Sequence, residues 1–178
     1  MRRTVLFLAC VLSQPMAAAA PWLQDEDYLY ARASIASEHV EGLDALRSDI
    51  FLDYGIDENW GATFKLERVE YADNSDFNSS GWRATVRRKL LTIGNFVSAA
   101  EIGAIEGRAI GGQNGCDAFG VELRTGAGWS GTWRERSTFA SVELAGRFHD
   151  ACQRNRLEIG IGQQTYKNVW TINQIWIE

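Results

Sequence analysis

The sequence predicts an all-β protein, an antiparallel up-and-down transmembrane β-barrel of about 8–10 strands. Three observations lead there. Apolar and polar residues alternate with period two from residue 28 almost to the end, and convincing helical stripes are missing. Nine strand candidates follow one another, at 28–37, 45–56, 60–72, 81–91, 95–106, 117–129, 136–148, 155–165 and 168–177. Most are well above the roughly 5–6 residues usual in soluble domains, and they suit the 9–11 or so that a tilted strand needs to cross a bilayer. The links between them alternate between tight turns and longer polar loops.

The 178 residues suffice for one domain. The chain opens with the three parts of a secretory signal: the charged pair Arg2 and Arg3, a short apolar run over residues 5–12, and small residues at 17–20. That run is far below the roughly 20 residues of a membrane-spanning helix, so removal near Ala20 is expected. Residues 1–20 are read as a cleaved signal peptide and 21–178 as the barrel domain, exported to the outer membrane of a Gram-negative-type bacterium. A lipoprotein alternative would use Leu8, Ala9 and Cys10, after a very short apolar run. Loss of Arg2 and Arg3 reduces 18 basic residues to 16 against 23 acidic, a net charge of −7. An acidic balance speaks against nucleic acid or an anionic lipid surface as partner.

Taken in order, the strands present one apolar face. The first gives Leu29, Ala31, Ala33 and Ile35, and the second Ile50, Leu52 and Tyr54, followed by Ile56. The third gives Trp60, Ala62, Phe64 and Leu66, and the fourth Trp82, Ala84 and Val86. Later strands supply Phe119, Val121 and Leu123, then Ala140, Val142, Leu144 and Phe148, then Leu157, Ile159 and Ile161. The opposite face carries Asp49, Asp53, Lys65, Glu67, Arg83, Arg87, Lys89, Glu101, Glu122, Arg124, Glu143, Arg147 and Glu158, seven acids and six bases. In a soluble sandwich such a face is the wet exterior. In a small membrane barrel it lines a narrow lumen, where opposite signs must pair because an unpaired buried charge is costly. Pairs such as Glu67 with Arg83 and Glu122 with Arg147 would then fill the cross-section.

The tight turns are read at 55–59, 91–95 and 166–168, with a medium link at 131–135. The longer loops are read at 37–47, 73–80, 109–116 and 150–155. Outer-membrane barrels show this asymmetry between periplasmic turns and external loops. Tyr54, Trp60, Phe96, Trp129, Trp133, Tyr166 and Trp170 crowd the short-turn side, the composition of an interfacial girdle. With Cys10 removed, Cys116 and Cys152 remain, and the strand order brings both to the long-loop side; in an oxidising compartment they are a candidate disulfide.

The hairpin DIFLDYGIDENWGATFKLE (49–67) resembles one common in bacterial outer-membrane β-barrel proteins of the transporter type, where a strand ends in Tyr-Gly-aliphatic, turns, and restarts with alternating apolar residues. VELRTGAGWSG (121–131), ASVELAGRFHD (140–150) and RLEIGIGQQTYKNVWTINQIW (156–176) resemble later strands of such proteins. The resemblance is one of pattern and implies location and fold. One departure stands out. Such barrels have an even strand number and end in an aromatic residue on the periplasmic side, whereas nine strands leave Ile177 and Glu178 on the long-loop side. An unclosed barrel would leave an unsatisfied edge in lipid.

No residue set is assigned to catalysis. His39 and His149 fall on the long-loop side, and His149 with Asp150 beside Ser37 or Ser137 can be drawn as a hydrolytic set, but no flanking pattern fixes a nucleophile. No metal ligand set has the right spacing, no cofactor is indicated, and the acids Asp73, Asp76, Asp117 and Asp150 lack the spacing of a calcium loop. GGQNG (111–115) has no following helix and reads as a hairpin tip rather than a phosphate loop. The expected function is a small porin-like barrel with a charged, plugged lumen, in a structural or narrow transport role, with outer-membrane lipid as partner and the solute unidentified. The alternatives are an outer-membrane lipid or acyl hydrolase and a soluble periplasmic β-sandwich or lipocalin-like binder.

Overall fold

A computed structural model describes residues 21–40, 43–72, 75–107, 116–150, 152–167 and 169–177, with the backbone alone at 38–40. Nine strands follow in chain order: β1 (Leu29–Val40), β2 (Leu43–Gly55), β3 (Trp60–Tyr71), β4 (Ser79–Ile93), β5 (Phe96–Glu106), β6 (Gly120–Trp133), β7 (Arg136–His149), β8 (Cys152–Tyr166) and β9 (Val169–Ile177). Each pairs antiparallel with its sequence neighbours, so the sheet order is the chain order. This is the expected all-β, up-and-down architecture, curled toward a barrel, and all nine strands overlap their sequence-predicted counterparts.

The turns differ from expectation at the long-loop end. Links were expected at 37–47 and 150–155, but β1 runs to Val40 with Ser37 opposite Leu46, and β8 begins at Cys152 opposite His149. Polar residues there break the apolar alternation that marks the strands. They stay in register as paired strand beyond the apolar zone. The medium link at 131–135 is also tighter than expected. Trp133 pairs with Arg136, leaving Arg134 and Glu135, both at positive φ (51° and 63°), as a two-residue turn. Positive φ at both central positions matches the right-handed twist of the flanking strands, even without the usual Asn-Gly.

β1 and β9 form the two edges of the sheet, and no pairing joins them among the described residues. Leu29 lies opposite Tyr54 at the short-turn end, so β1 runs from that end to the long-loop end. β9 also runs from its turn with β8 toward the long-loop end, with Ile177 opposite Leu157. The two edges therefore point the same way, the geometric consequence of an odd strand number.

The sheet has an apolar outside and a charged inside. Ile50, Phe64, Leu66, Ile102, Leu123, Leu144 and Ile161 all lie exposed on the outer face. Val69, Tyr71 and Ala45 form a small apolar layer at the long-loop end of the inner face, with Leu43 against it. Trp22, Phe139 and Trp170 pack at the other end, with ring centroids 5.8 and 5.9 Å apart. Trp170, expected in the outer girdle, thus points inward, because it lies opposite Gln164 in regular register with the inner-face positions Glu158, Gly160 and Gly162 of β8. Tyr54, Trp60, Phe96, Trp133 and Tyr166 remain exposed.

Candidate functional site: the charged interior

Charged residues between the two apolar layers face inward because they alternate in register with the outer apolar set. Asp49, Asp53, Glu67, Arg83, Arg87, Glu101, Glu122, Glu143 and Arg147 are all buried, and Lys65, Lys89, Arg124 and Glu158 are half-buried. Glu122 is the hub, 1% exposed. It accepts from Arg147 at 2.6 Å, from Arg83 at 2.9 Å and from Arg124 at 3.1 Å. Arg83 stands on β4 and Glu122 on β6, so the side chains reach over β5, which the curvature of the sheet permits. Arg124 continues to Glu143 at 2.7 Å and lies 4.0 Å from Glu158.

A second group centres on Arg87, which donates to Glu101 on β5 at 3.0 Å and reaches Asp53 on β2 at 3.4 Å. Thr85 donates to Glu101 at 2.6 Å and lies 2.6 Å from the Thr63 hydroxyl, closing a polar chain across three strands. A third group joins Glu67 to Lys65 and, at 3.6 Å, to Arg47. The expected Glu67–Arg83 pair is therefore not formed. In register Glu67 faces Gly81 while Arg83 faces Lys65, and Arg83 turns away toward Glu122. The expected Glu122–Arg147 pair is present. Lys89 makes no ion pair among the described residues. It sits at the short-turn rim, where a bulge between Lys89 and Leu91 interrupts the register.

Several members were not singled out from the sequence. Arg32 pairs with Asp49 at 3.1 Å, Ser34 also donates to Asp49, and Arg156 lies 3.5 Å from Glu158. Each alternates in phase with the inner face, so period two alone assigns them. The larger omission is the segment before β1. Pro21 is fully buried, and Trp22 packs edge-on to Phe139. Gln24 donates to Asp53 at 3.4 Å, and the Trp22 carbonyl accepts from Arg87 at 2.9 Å. The tail thus crosses the interior from β2 to β7. It leaves over the end of β2, where the Asp27 amide donates to the Gly55 carbonyl and the Tyr54 hydroxyl to the Asp27 carboxylate.

Two glycines make room for it. A Cβ at Gly128 would lie 2.5 Å from the Trp22 ring and 2.8 Å from Pro21, and one at Gly55 would lie 2.0 Å from the Asp25 carbonyl oxygen. Beside Pro21 remains a cavity of about 10 Å³, room for one water at most, lined by Arg87, Glu101, Arg124 and Glu143.

At the long-loop end Cys116 and Cys152 are joined as a disulfide, Cα atoms 6.0 Å apart, tying the approach to β6 to the start of β8. His149 is buried with Nδ1 2.7 Å from the Ala118 carbonyl. Ser137 sits at the opposite end of the same strand, roughly 40 Å away at 3.3–3.4 Å per residue, so the two do not form a hydrolytic set. Asp73 and the GGQNG stretch lie outside the described residues, as does the side chain of His39.

Comparison with protein-family models, with curated proteins and with solved structures finds no match.

Proposed function

We propose that this chain is a small outer-membrane β-barrel whose lumen is plugged by its own charges and its own N-terminal segment, with a structural role or a narrow transport role. One observation carries the reading: the polarity of the molecule is inverted. Among the described residues nine charged side chains are buried inside the curve, while Phe64, Leu66, Ile102, Leu123 and Leu144 stand 38–57% exposed on a continuous outer face. Monomers that live in water rarely expose apolar patches beyond a few hundred Å². A soluble sandwich would cover such a face with a second layer, and all nine described strands lie in one sheet. Hydrocarbon is the medium in which this outside costs nothing and this inside must pair its charges.

Strand length supports the same reading, since most strands have 11 to 15 residues. In lipid the edge backbone groups of β1 and β9 must also find partners. Because the edges run the same way, closure joins them as a parallel pair. The test is conductance in planar bilayers. A lumen of this size, filled by ion pairs and by Trp22, passes no large steady current, and the protein is expected to be silent or to give small flickering events. Large steady conductance from the unaltered protein would overturn the plugged lumen.

A further inference from the structure

The plug is built from two kinds of material. The interior charges are fixed to their strands, whereas residues 21–24 reach the lumen on a tether that joins them to β1. We propose that this segment is a hinged stopper, which swings out about Asp27 toward the short-turn end while the nine strands stay folded. Its departure uncovers a chamber walled by Asp53, Arg87, Glu101, Arg124 and Glu143, with the Glu122 hub beyond. The proposal deepens the reading above and rests on it for the plugged lumen.

The root of the segment is fixed, while its far part is not woven into the sheet. The Asp27 amide donates to the Gly55 carbonyl at 2.9 Å, the Gly55 amide to the Tyr28 carbonyl at 3.0 Å, and the Tyr54 hydroxyl to the Asp27 carboxylate at 2.8 Å. Asp27 sits at φ 60°, in the left-handed region, so the chain reverses there between the lumen and β1. Among the described residues the last backbone pairing with the sheet is the bridge of Glu26 with Gly55. Residues 21–24 are held by side chains instead. Arg87 donates to the Trp22 carbonyl at 2.9 Å, Gln24 to Asp53 at 3.4 Å, and the Trp22 ring meets Phe139 edge-on. Trp22 Nε1 is buried with no hydrogen-bond partner among the described residues, a cost that falls on the seated state alone because water satisfies the group outside. Charge gives the strongest argument. Pro21, Trp22, Leu23 and Gln24 bring no charge inside. Around them Asp53, Glu101, Glu122 and Glu143 balance Arg83, Arg87, Arg124 and Arg147, and Arg87 keeps both Glu101 and Asp53 when the Trp22 carbonyl goes. Release therefore breaks no ion pair. The seat is nonetheless shaped for the segment, since Gly128 and Gly55 carry no side chain where one would strike Trp22 or Asp25.

The experiment reads the motion through two buried thiols. Ala99 on β5, 3% exposed, lines the same small cavity as Pro21, whereas Ala45 on β2, 6% exposed, packs with Val69 and Tyr71 at the long-loop end. Each is replaced by cysteine in a separate chain, isolated from cells and kept folded in detergent or in plain buffer, whichever it requires. Reaction with a thiol reagent is followed below the unfolding transition, where the native disulfide is inert. The Ala99→Cys thiol should react at least about a hundredfold faster than Ala45→Cys, at a rate nearly independent of denaturant, because a local opening exposes little surface. Adding Trp22→Ala should speed Ala99→Cys further. Adding Glu122→Gln, which weakens the barrel and not the stopper, should speed Ala45→Cys and leave Ala99→Cys within about twofold. Equal slow rates that rise together with denaturant would overturn the hinge and leave the plug standing. An Ala99→Cys rate that ignores Trp22→Ala, or that follows Glu122→Gln, would overturn it as well. Reaction of Ala99→Cys as fast as in the unfolded chain would mean that nothing seats over it, and the plug reading would fall with the hinge.

Discussion

Glu122 concentrates the electrostatics of the interior in one carboxylate, 1% exposed and held by three guanidiniums. Removing one partner of a buried ion pair leaves the others desolvated and uncompensated, a loss of about 3–5 kcal/mol. Glu122→Gln keeps the shape and removes the charge, so chemical denaturation should register a loss of that order. A loss no larger than at the exposed pair Arg68–Glu70, where about 0–1 kcal/mol is expected, would contradict the hub. On the outer face the sign reverses. Leu123→Arg at mid-strand should cost about 2–4 kcal/mol in a bilayer, and stability measured in lipid vesicles checks it; a neutral result there would remove the lipid-facing assignment. Period two made both residues legible, since any acid in phase with Asp53 on paired strands must share its face. It did not reveal which base each acid takes. Arg83 has a long, flexible side chain that reaches past its neighbouring strand, and only the curvature of the sheet fixes its partner.

Strands were easier to read than their ends. Alternation located all nine because a one-residue slip would move every apolar side chain of a strand to the wrong face. It failed at the long-loop end, where residues 37–40 and 152–155 carry no apolar outer face yet remain paired. Backbone hydrogen bonding is blind to that change of side chain. The tail from Pro21 to Asp27 was missed for the converse reason: it has no period at all, and its trace in the sequence is the loss of inner-face side chains at Gly55 and Gly128. The disulfide closes a separation of 36 residues, for which chain entropy gives roughly 4 kcal/mol. Reduction should lower the unfolding midpoint accordingly, and thiol reagents should label Cys116 and Cys152 only after it; labelling without reductant would dispose of the bond. For the edges, Ala33→Cys and Asn173→Cys place one thiol on β1 and one on β9, each four residues from the start of its strand. A short bifunctional thiol reagent should join them within one chain when the protein is in lipid. Links formed only between chains would mean that the edges meet those of another copy and that the nine strands do not close on themselves.

For the molecule as a whole, the proposed outer-membrane reading ties folding, location and conduction to one property, the inverted polarity. A lumen held by Arg87 between Asp53 and Glu101 and crossed by Trp22 should loosen when Arg87→Ala removes the tie. Stability should fall while any bilayer conductance rises; a rise in conductance with no loss of stability would mean that Arg87 does not hold the plug. The central claim, that the apolar outer face meets lipid, is tested most directly by asking what keeps the processed protein folded. Membranes from cells making it should retain it through carbonate extraction and release it only to detergent. The detergent-solubilised protein should run as a compact band on an unheated gel and shift on boiling. A processed protein that leaves the membrane fraction in plain buffer, and stays folded and monodisperse there, would contradict the account.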